Sequence, residues 1–480
     1  REKEARMALR PTADNLQKLM GVISACQRPE KNVREPAENQ VLKLRQMPGY
    51  TTCMMTIATN GDVKIEARQF ASIELKNTFR KYWQRRGNYF IPEEEKNTMK
   101  KAMLSERVFS INNTLVFRQL SFGLAQLARF DWPRKWGSLF PTLLKIITKG
   151  DELQINNGLH VLLEVLKILT QRRWMMQRQE FQKQSQPLLA VILPAWINTT
   201  KQLFDALKGG KEKVAVAVRI GHRSLAYLRC LKELAIYGIP NLDRSEHAQS
   251  LFQAFKEVLT VLMPLSRSIP RGHPLRDTLR SMVTCVMGTV IGAQKQHPLD
   301  FSRYLGPFVK FFTQTLSEPF DKDRELIFEK QTVMTVNLLS NVLSCPQYTS
   351  LSGSGLVFSA TSGIQADPQA ENRIRATLKQ IFNNGFVSTL LNVAIYRLLL
   401  LKPSDIQEWE ADSEDYAMEL HNDKEMNIRS ATHTLIEHLA RVFPQVTCPV
   451  LMSAVNKLVK NNDIGKSLNE RVVIKNALYR

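Results

Sequence analysis

Residues 63–83 read VKIEARQFASIELKNTFRKYW, and apolar side chains recur in this stretch at every fourth position. The recurring residues are Val63, Ala67, Ala71, Leu75, Phe79 and Trp83. Because an α-helix has about 3.6 residues per turn, this spacing places them in one ridge along one side of a helix. Arg68, Lys76 and Arg80 lie off the ridge, so the stretch predicts an amphipathic helix of about five turns.

The same periodicity continues along the rest of the chain. Further apolar stripes begin at Val116, Leu159 and Leu225, and Pro- or Gly-containing breaks at 48–49 and 238–240 separate the segments. We count about eighteen to twenty helical segments, whereas alternating strand patterns with hairpin turns are almost absent. The sequence therefore predicts an all-helical protein.

The length decides how these helices are arranged. A chain of 480 residues is too long for one core, which stops growing at roughly 250–300 residues. Helix pairs that recur every roughly 40–60 residues are typical of stacked hairpins, as in HEAT arrays. We predict an all-α, right-handed superhelical solenoid of HEAT-like antiparallel helix pairs over 84–349 and 371–480, with a flexible Ser/Gly-rich insertion at 350–370. One large helical domain is the alternative.

Composition limits the function. With 66 Lys and Arg against 45 Asp and Glu, the net charge is +21. This charge favours an anionic partner, which is nucleic acid, anionic lipid or an acidic protein, or else a solvated basic surface. The six cysteines are scattered, which indicates reduced thiols of a cytosolic or nuclear protein. No apolar run is long enough for a membrane span. The charged start without Met and the end at Arg480 indicate a piece of a longer protein.

Residues 37–83, AENQVLKLRQMPGYTTCMMTIATNGDVKIEARQFASIELKNTFRKYW, resemble the importin-β N-terminal domain. In that family a helix ends before a Pro-Gly step, and a later long helix carries a characteristic set of residues. The matching residues here are Arg68, Ala71, Leu75, Lys76 and Asn77. The resemblance implies that residues 1–83 are this domain, with the first two HEAT-like repeats. Residues 151–200 look most like the importin-11 branch of the family.

Residues 127–144, LARFDWPRKWGSLFPTLL, resemble a second motif of importins and exportins. The matching residues are Asp131, Trp132, Pro133 and Trp136. Gly137 stands where the family usually has Pro. We expect Asp131 and Pro133 to begin a helix, and Trp136 to share a face with Phe140 and Leu144 at the joint between repeats.

Residues 404–420, SDIQEWEADSEDYAMEL, contain seven carboxylates and no Lys or Arg. The segment resembles one in the importin-7, -8 and -11 group, with Ser413 in place of Pro. We interpret it as an acidic loop that contacts a basic protein surface, or else as a solvated loop without a partner. The candidate contact residues are Asp405, Glu408, Glu410, Asp412, Glu414 and Asp415.

The resemblance implies a shuttling transport receptor of the cytoplasm, nucleus and nuclear envelope. Family members bind the GTP form of Ran on inner helices of the first repeats, protein cargo on the concave face, and Phe-Gly nucleoporins in apolar outer clefts. On this chain the implied Ran surface is the polar side of the helices near 33–47, 63–83, 112–130 and 152–170. The residues to test are Lys76, Asn77, Arg118 and Gln119. Many family members are acidic, so the basic charge leaves room for acidic cargo.

No catalytic residue set, metal site or cofactor motif emerges from the sequence, so we expect no enzyme. His433 and His438 are five residues apart, which places them about 140° apart around a helix, unsuited to one metal. The basic-aromatic run at 76–86 could bind nucleic acid, but its Phe79 and Trp83 extend the core ridge. Two rival hypotheses remain: a HEAT-like scaffold independent of Ran, and a nucleic-acid-binding solenoid.

Overall fold

The computed structural model describes residues 8–85, 89–171, 175–209, 214–270, 272–317, 329–349, 368–400, 403–412, 414 and 427–460. Within these ranges the secondary structure is helical and no strand occurs, which confirms the all-α prediction. The proposed insertion at 350–370 lies outside the described residues up to 367, and a helix begins at Pro368. None of the described helices combines the length and apolarity that a bilayer crossing needs.

Residue contacts group the chain into two compact units, Arg1–Pro240 and Asn241–Arg480. Their boundary coincides with the break at 238–240 that the sequence marks. The helices of the first unit are α1 (Ala13–Cys26), α2 (Lys31–Leu44), α3 (Tyr50–Thr59), α4 (Ile65–Tyr82), α5 (Glu93–Met103), α6 (Glu106–Phe109), α7 (Thr114–Asp131), α8 (Leu139–Lys149), α9 (Glu152–Thr170), α10 (Met175–Lys208) and α11 (Val214–Glu233). A π-helical turn, Leu234–Gly238, follows α11.

The first unit consists of paired helices in two rows. In one row α4, α7, α9 and α11 pack side by side. Each of them pairs with the helix that precedes it in the other row: α3 with α4, α5 with α7, α8 with α9, and α10 with α11. These are the HEAT-like helix pairs that the sequence predicted, since each pair buries its apolar side only against its neighbours.

The second unit repeats this arrangement. Its helices are α12 (Glu246–Ser268), α13 (Leu275–Gln296), α14 (Pro298–Thr313), α15 (Glu329–Ser344), α16 (Pro346–Thr349), α17 (Pro368–Ile381), α18 (Asn384–Val393), α19 (Pro403–Ala411), α20 (Ile428–Val442) and α21 (Pro444–Lys460). In one row α15 packs between α13 and α20. In the other row α14 packs on α17, and α18 packs on α21.

Helix α4 shows how the sequence pattern becomes packing. The ridge residues Ala71, Leu75, Phe79 and Trp83 are at most 1% exposed. Burial of one large apolar side chain stabilises the fold by about 1.5–3 kcal/mol, so the ridge supplies much of the energy that holds α4 between α3 and α7. Val63 and Ala67, at the start of the ridge, are only half-buried.

The Pro48-Gly49 step has a definite physical role. Gly49 has φ of 85°, a left-handed conformation that favours glycine, and it immediately precedes α3. The Leu9 amide donates a hydrogen bond of 2.7 Å to the Pro48 carbonyl. A side chain at position 49 would place its Cβ 1.8 Å from the Leu9 carbonyl oxygen. Glycine therefore allows the segment before α1 to pack directly on this turn.

The N-terminus of α3 is satisfied by a residue from the next repeat. Glu95, in the first turn of α5, accepts hydrogen bonds from the amides of Gly49 (2.8 Å) and Thr51 (3.1 Å) and from the Thr51 hydroxyl. Pro92 is the N-cap of α5, and Glu95 lies in the first turn of that helix.

Candidate functional site

The row α4–α7–α9 brings candidate residues from two helices together. The Lys76 ammonium of α4 donates a hydrogen bond of 2.7 Å to the Gln119 side-chain oxygen of α7. Both side chains are half-buried, so the bond fixes the lysine charge at the seam between the two helices. Residues 43 positions apart in the chain thus form one polar contact.

The other two candidates flank this contact and are exposed. Asn77 follows Lys76 on α4, and Arg118 precedes Gln119 on α7. The Arg118 guanidinium lies 5.6 Å from the centre of the Phe122 ring on the same helix, a cation–π distance. The arrangement offers a cation and an amide to a partner surface at the polar edge of the row.

Charged contacts continue this edge toward α9 and α11. Glu152, at the start of α9, pairs with Arg223 (2.6 Å) and Arg219 (3.4 Å) of α11. Between α7 and α9, His160 packs on Phe117 with ring centres 5.8 Å apart. Burial lowers the pKa of His160 below its ordinary value, so this histidine is neutral at physiological pH.

Helix α2 joins the row through a partly buried ion pair. Arg45, the C-cap of α2, donates two hydrogen bonds of 2.6 and 2.7 Å to the Glu74 carboxylate of α4. Glu74 is 5% exposed, and its hydrogen bond with Arg45 raises the pKa of the guanidinium. The four helices predicted near 33–47, 63–83, 112–130 and 152–170 correspond to α2, α4, α7 and α9. Their role as a Ran surface stays a prediction.

The Asp131 motif does not begin a helix as predicted. Asp131 is the last residue of α7, the Trp132–Pro133 peptide bond is cis, and α8 begins only at Leu139. The carboxylate of Asp131 instead accepts a hydrogen bond of 3.0 Å from the Trp83 indole and one of 3.1 Å from the Lys100 ammonium. Its buried position favours contacts across helices over capping at a helix start.

Trp132, and not Trp136 as expected, makes the aromatic contact with Phe140 in this motif. Trp136 is buried but lies in the turn before α8, so it does not share a helical face with Phe140 and Leu144. Trp132 packs edge-on against Phe140 at 5.2 Å and Phe181 at 6.4 Å between ring centres. Trp132 thus contacts Phe140 of α8 and Phe181 of α10, so this motif packs between those two helices.

The acidic segment is helical over its first half, where a loop was predicted. Helix α19 covers Pro403–Ala411. Trp409 is 48% exposed. The carboxylates that are exposed are Glu408, Glu410, Asp412 and Glu414, whereas Asp405 is half-buried. Asp415 lies outside the described residues. The segment thus presents several carboxylates around one exposed aromatic ring.

Two other candidate sites, for nucleic acid and for a metal, lack the exposed rings or the arrangement of ligands that they would need. In the basic-aromatic run at 76–86, Phe79, Tyr82 and Trp83 are buried, which leaves their rings unavailable for stacking on bases. His433 pairs with Glu437 at 3.5 Å. Across the part of the chain that the structure describes, no group of three His, Cys, Asp or Glu side chains is placed to hold a metal ion.

Sequence reasoning missed the buried charges that connect the helices. Glu74 and Lys100 each lie beside an apolar ridge residue, Leu75 and Met99 respectively, and both are at most 7% exposed. The signal that could have predicted their burial is that each charged residue is the immediate neighbour in sequence of a buried ridge residue. Their partners, Arg45 and Asp131, could not be identified without the packing of the helices.

Comparison with known proteins finds relatives that share part of this sequence. Residues 37–105 match the importin-beta N-terminal domain. The chain is 23% identical to importin-11 of Mus musculus over 450 residues, which cover 93% of this chain and 44% of that protein. The chain therefore spans less than half the length of these curated relatives.

Solved structures agree on the fold. Lph2, a bidirectional nuclear transport receptor in S. cerevisiae, has a TM-score of 0.71 at 18% identity, covering 93% of this chain and 43% of Lph2. Kap121p bound to RanGTP has a TM-score of 0.54 at 13% identity, covering 97% of this chain and 36% of Kap121p. Kap121p bound to Nup53p has a TM-score of 0.55 at 12% identity, with the same coverage. Residues 37–105 thus match the importin-beta N-terminal domain, the chain is similar to importin-11 over most of its length, and it shares its fold with Lph2 and Kap121p.

Proposed function

We propose that the chain acts in a nuclear transport receptor that binds Ran in its GTP form and a protein cargo. The main support is the importin-beta N-terminal domain match at 37–105, which begins within α2, extends through α5 and includes Lys76 and Asn77 on α4. Kap121p, which shares the fold, has been solved with RanGTP and with Nup53p. By analogy, the receptor would pass between cytoplasm and nucleus through contacts with Phe-Gly nucleoporins.

The proposed Ran surface is the polar edge of α4, α7 and α9. Lys76 is fixed there by Gln119, and Arg118 and Asn77 project beside it. Two cations held on adjacent rigid helices suit an acidic partner surface, because their positions need little ordering when the partner binds. If Ran and cargo exclude one another, each lowers the affinity of the other by the same factor.

A second contact of the proposed receptor is α19 with its exposed carboxylates. Trp409 gives the helix an apolar anchor, and Glu408 and Glu410 flank it in sequence. We propose that this helix contacts a basic cargo surface. The double substitution Glu408→Gln and Glu410→Gln should weaken binding of a basic cargo peptide more at low salt than at high salt. Equal binding at all salt concentrations would rule out an electrostatic contact.

The experiment that tests the Ran proposal is a titration with Ran loaded with GTP and then with GDP, at physiological salt. We expect tight binding of the GTP form alone. The double variant Lys76→Glu and Arg118→Glu should weaken it by about tenfold or more, since reversing charges across an interface costs at least about 1.4 kcal/mol. The matched control is Lys145→Glu and Lys149→Glu, which reverses two exposed charges on α8, outside the row.

Other outcomes separate the rival hypotheses. Equal or absent binding of both nucleotide forms would contradict the proposal for this chain and favour a scaffold independent of Ran. Binding of nucleic acid that falls steeply with rising salt would favour the third hypothesis, because each neutralised phosphate releases counterions. Loss of Ran binding in the control variant as well would show that net charge, not the polar edge of the row, is responsible.

A further inference from the structure

A cavity of about 520 Å³ lies between α5 and the turn that leads into α8. It is on the side of the first unit that carries α5 and α8, away from the row formed by α4, α7 and α9. Its lining includes three lysines, Lys100, Lys101 and Lys135, together with the hydroxyl residues Ser138 and Thr142. The cleft between α5 and the start of α8 is therefore cationic and polar.

The three lysines are not equivalent. Lys100 is buried, and its ammonium is held at 3.1 Å from both the Asp131 carboxylate and the Lys135 carbonyl oxygen. Its charge is offset by Asp131. Lys101 and Lys135 are exposed, and neither forms an ion pair with any carboxylate in the described ranges. The cavity thus has two free ammonium groups beside one that is already neutralised.

A second carboxylate, at the start of α5, also has a partner. Glu93, at the start of α5, pairs with Lys96 at 2.7 Å. Its pKa is lowered by the hydrogen bond from Lys96 and, more weakly, by the charges of Lys135 and Lys100. The charges of Lys135 and Lys100 therefore act on Glu93, whose ion-pair partner is Lys96.

Neutral donors and an apolar wall complete the cavity. Ser138 is the N-cap of α8, yet its side chain makes no capping hydrogen bond, so the hydroxyl is available to a ligand. Thr142 lies one turn further along α8, and the positive end of the helix dipole points to the same region. Trp136 contributes a wall that is 5% exposed.

We propose that this cavity binds a carboxylate-rich segment of a partner protein, a run of Asp and Glu residues. The cations stand on two separate elements, α5 and the turn before α8, so they match several charges along an extended segment better than one small ion. The ring of Trp136 is too buried to stack on a base, which argues against nucleic acid. The net charge of +21 makes an acidic partner electrostatically favourable. This site is independent of the proposed Ran surface.

The test uses the whole 480-residue chain and a fluorescently labelled peptide of alternating Asp and Glu, followed by anisotropy at low and at physiological salt. A peptide with Asn and Gln at the same positions reports uncharged binding. The double variant Lys101→Gln and Lys135→Gln should weaken binding of the acidic peptide by about fivefold, because exposed ion pairs contribute only modestly each. Lys145→Gln with Lys149→Gln is the matched control, with the same loss of charge on α8.

The outcomes are distinct. Binding of the acidic peptide that is weakened by the cavity variant and unchanged in the control supports the proposal. Equal weakening in both variants, or equal affinity for the neutral peptide, would overturn it, since then only net charge or apolar contact would matter. Inorganic phosphate that displaces the peptide completely at millimolar concentration would also overturn it, in favour of a small-anion site. Because none of these residues lies on α4, α7 or α9, failure here leaves the Ran titration unaffected.

Discussion

Substitution of Asp131 by Asn should destabilise the first unit strongly. The carboxylate is 7% exposed and neutralises Lys100, which is equally buried, so the variant leaves a buried ammonium without its counter-charge. Removing one partner of a buried ion pair costs about 3–5 kcal/mol. We expect the lower end, about 3 kcal/mol, because the Lys135 carbonyl still accepts a hydrogen bond from Lys100 and the Asn oxygen can still accept one from Trp83.

A double-mutant cycle separates the charge effect from general damage. Adding Lys100→Met to Asp131→Asn removes the unpaired charge, so we expect the double variant to lose only about 1 kcal/mol. Asp14→Asn is the control, since Asp14 pairs with Lys18 on the surface and its loss should cost less than about 0.5 kcal/mol.

The assay must report on the first unit locally, because a repeat array need not unfold in one step. Hydrogen exchange of peptides from α5 and α7, measured by mass spectrometry in the native state, gives the opening free energy at the two helices that Asp131 connects. An Asp131→Asn cost below about 1 kcal/mol would refute the reasoning. The same conclusion would follow if Lys100→Met gave no recovery.

Two further stability predictions concern a turn and a buried acid. Gly49→Ala should lower the free energy of unfolding by at least about 1–2 kcal/mol, because position 49 is left-handed and the new Cβ would meet the Leu9 carbonyl. The control Gly21→Ala lies within α1, and its new Cβ meets nothing within 4 Å, so it should raise the free energy of unfolding by up to about 1 kcal/mol. Similar opening free energies for both variants, from native-state hydrogen exchange of peptides in α1 and α3, would contradict this. Burial raises the pKa of Glu233 above its ordinary value of 4.5, so its contribution to stability is present below pH 4.5 and is lost as pH rises through the raised value. Glu233→Gln should therefore raise the opening free energy of α11, measured by native-state hydrogen exchange, at pH 7 and change it little at pH 4. A pH-independent difference would be inconsistent with a titrating carboxyl.

The sequence predicted the helices well because their packing is periodic. The spacing of Ala71, Leu75, Phe79 and Trp83 requires no knowledge of the partner surface, only that one side is buried. The break at 238–240 likewise marks the boundary between the two units. The prediction for 404–420 was wrong over α19, because a high density of carboxylates was interpreted as a loop although it is compatible with a short exposed helix.

The polar contacts were predictable only in part. Lys76 and Gln119 were both named as candidates, but their hydrogen bond depends on the register between α4 and α7, which no local pattern encodes. Asp131 was expected to act within its own segment, as acidic residues before a helix often do. In the structure its partners come from α4 and α5, 48 and 31 residues earlier in the chain. Long-range pairing of this kind follows from stacking of the repeats rather than from sequence spacing.

The position of Glu95 has a consequence for how this array opens. The first amides of α3 are bound by a side chain that belongs to α5, so α5 cannot detach without leaving buried donors of α3 unsatisfied. Detachment of α5 therefore destabilises both α3 and α5. The smallest piece that unfolds independently at this end should therefore include helices from two successive pairs, and its amides should exchange with solvent at a common rate instead of fraying pair by pair.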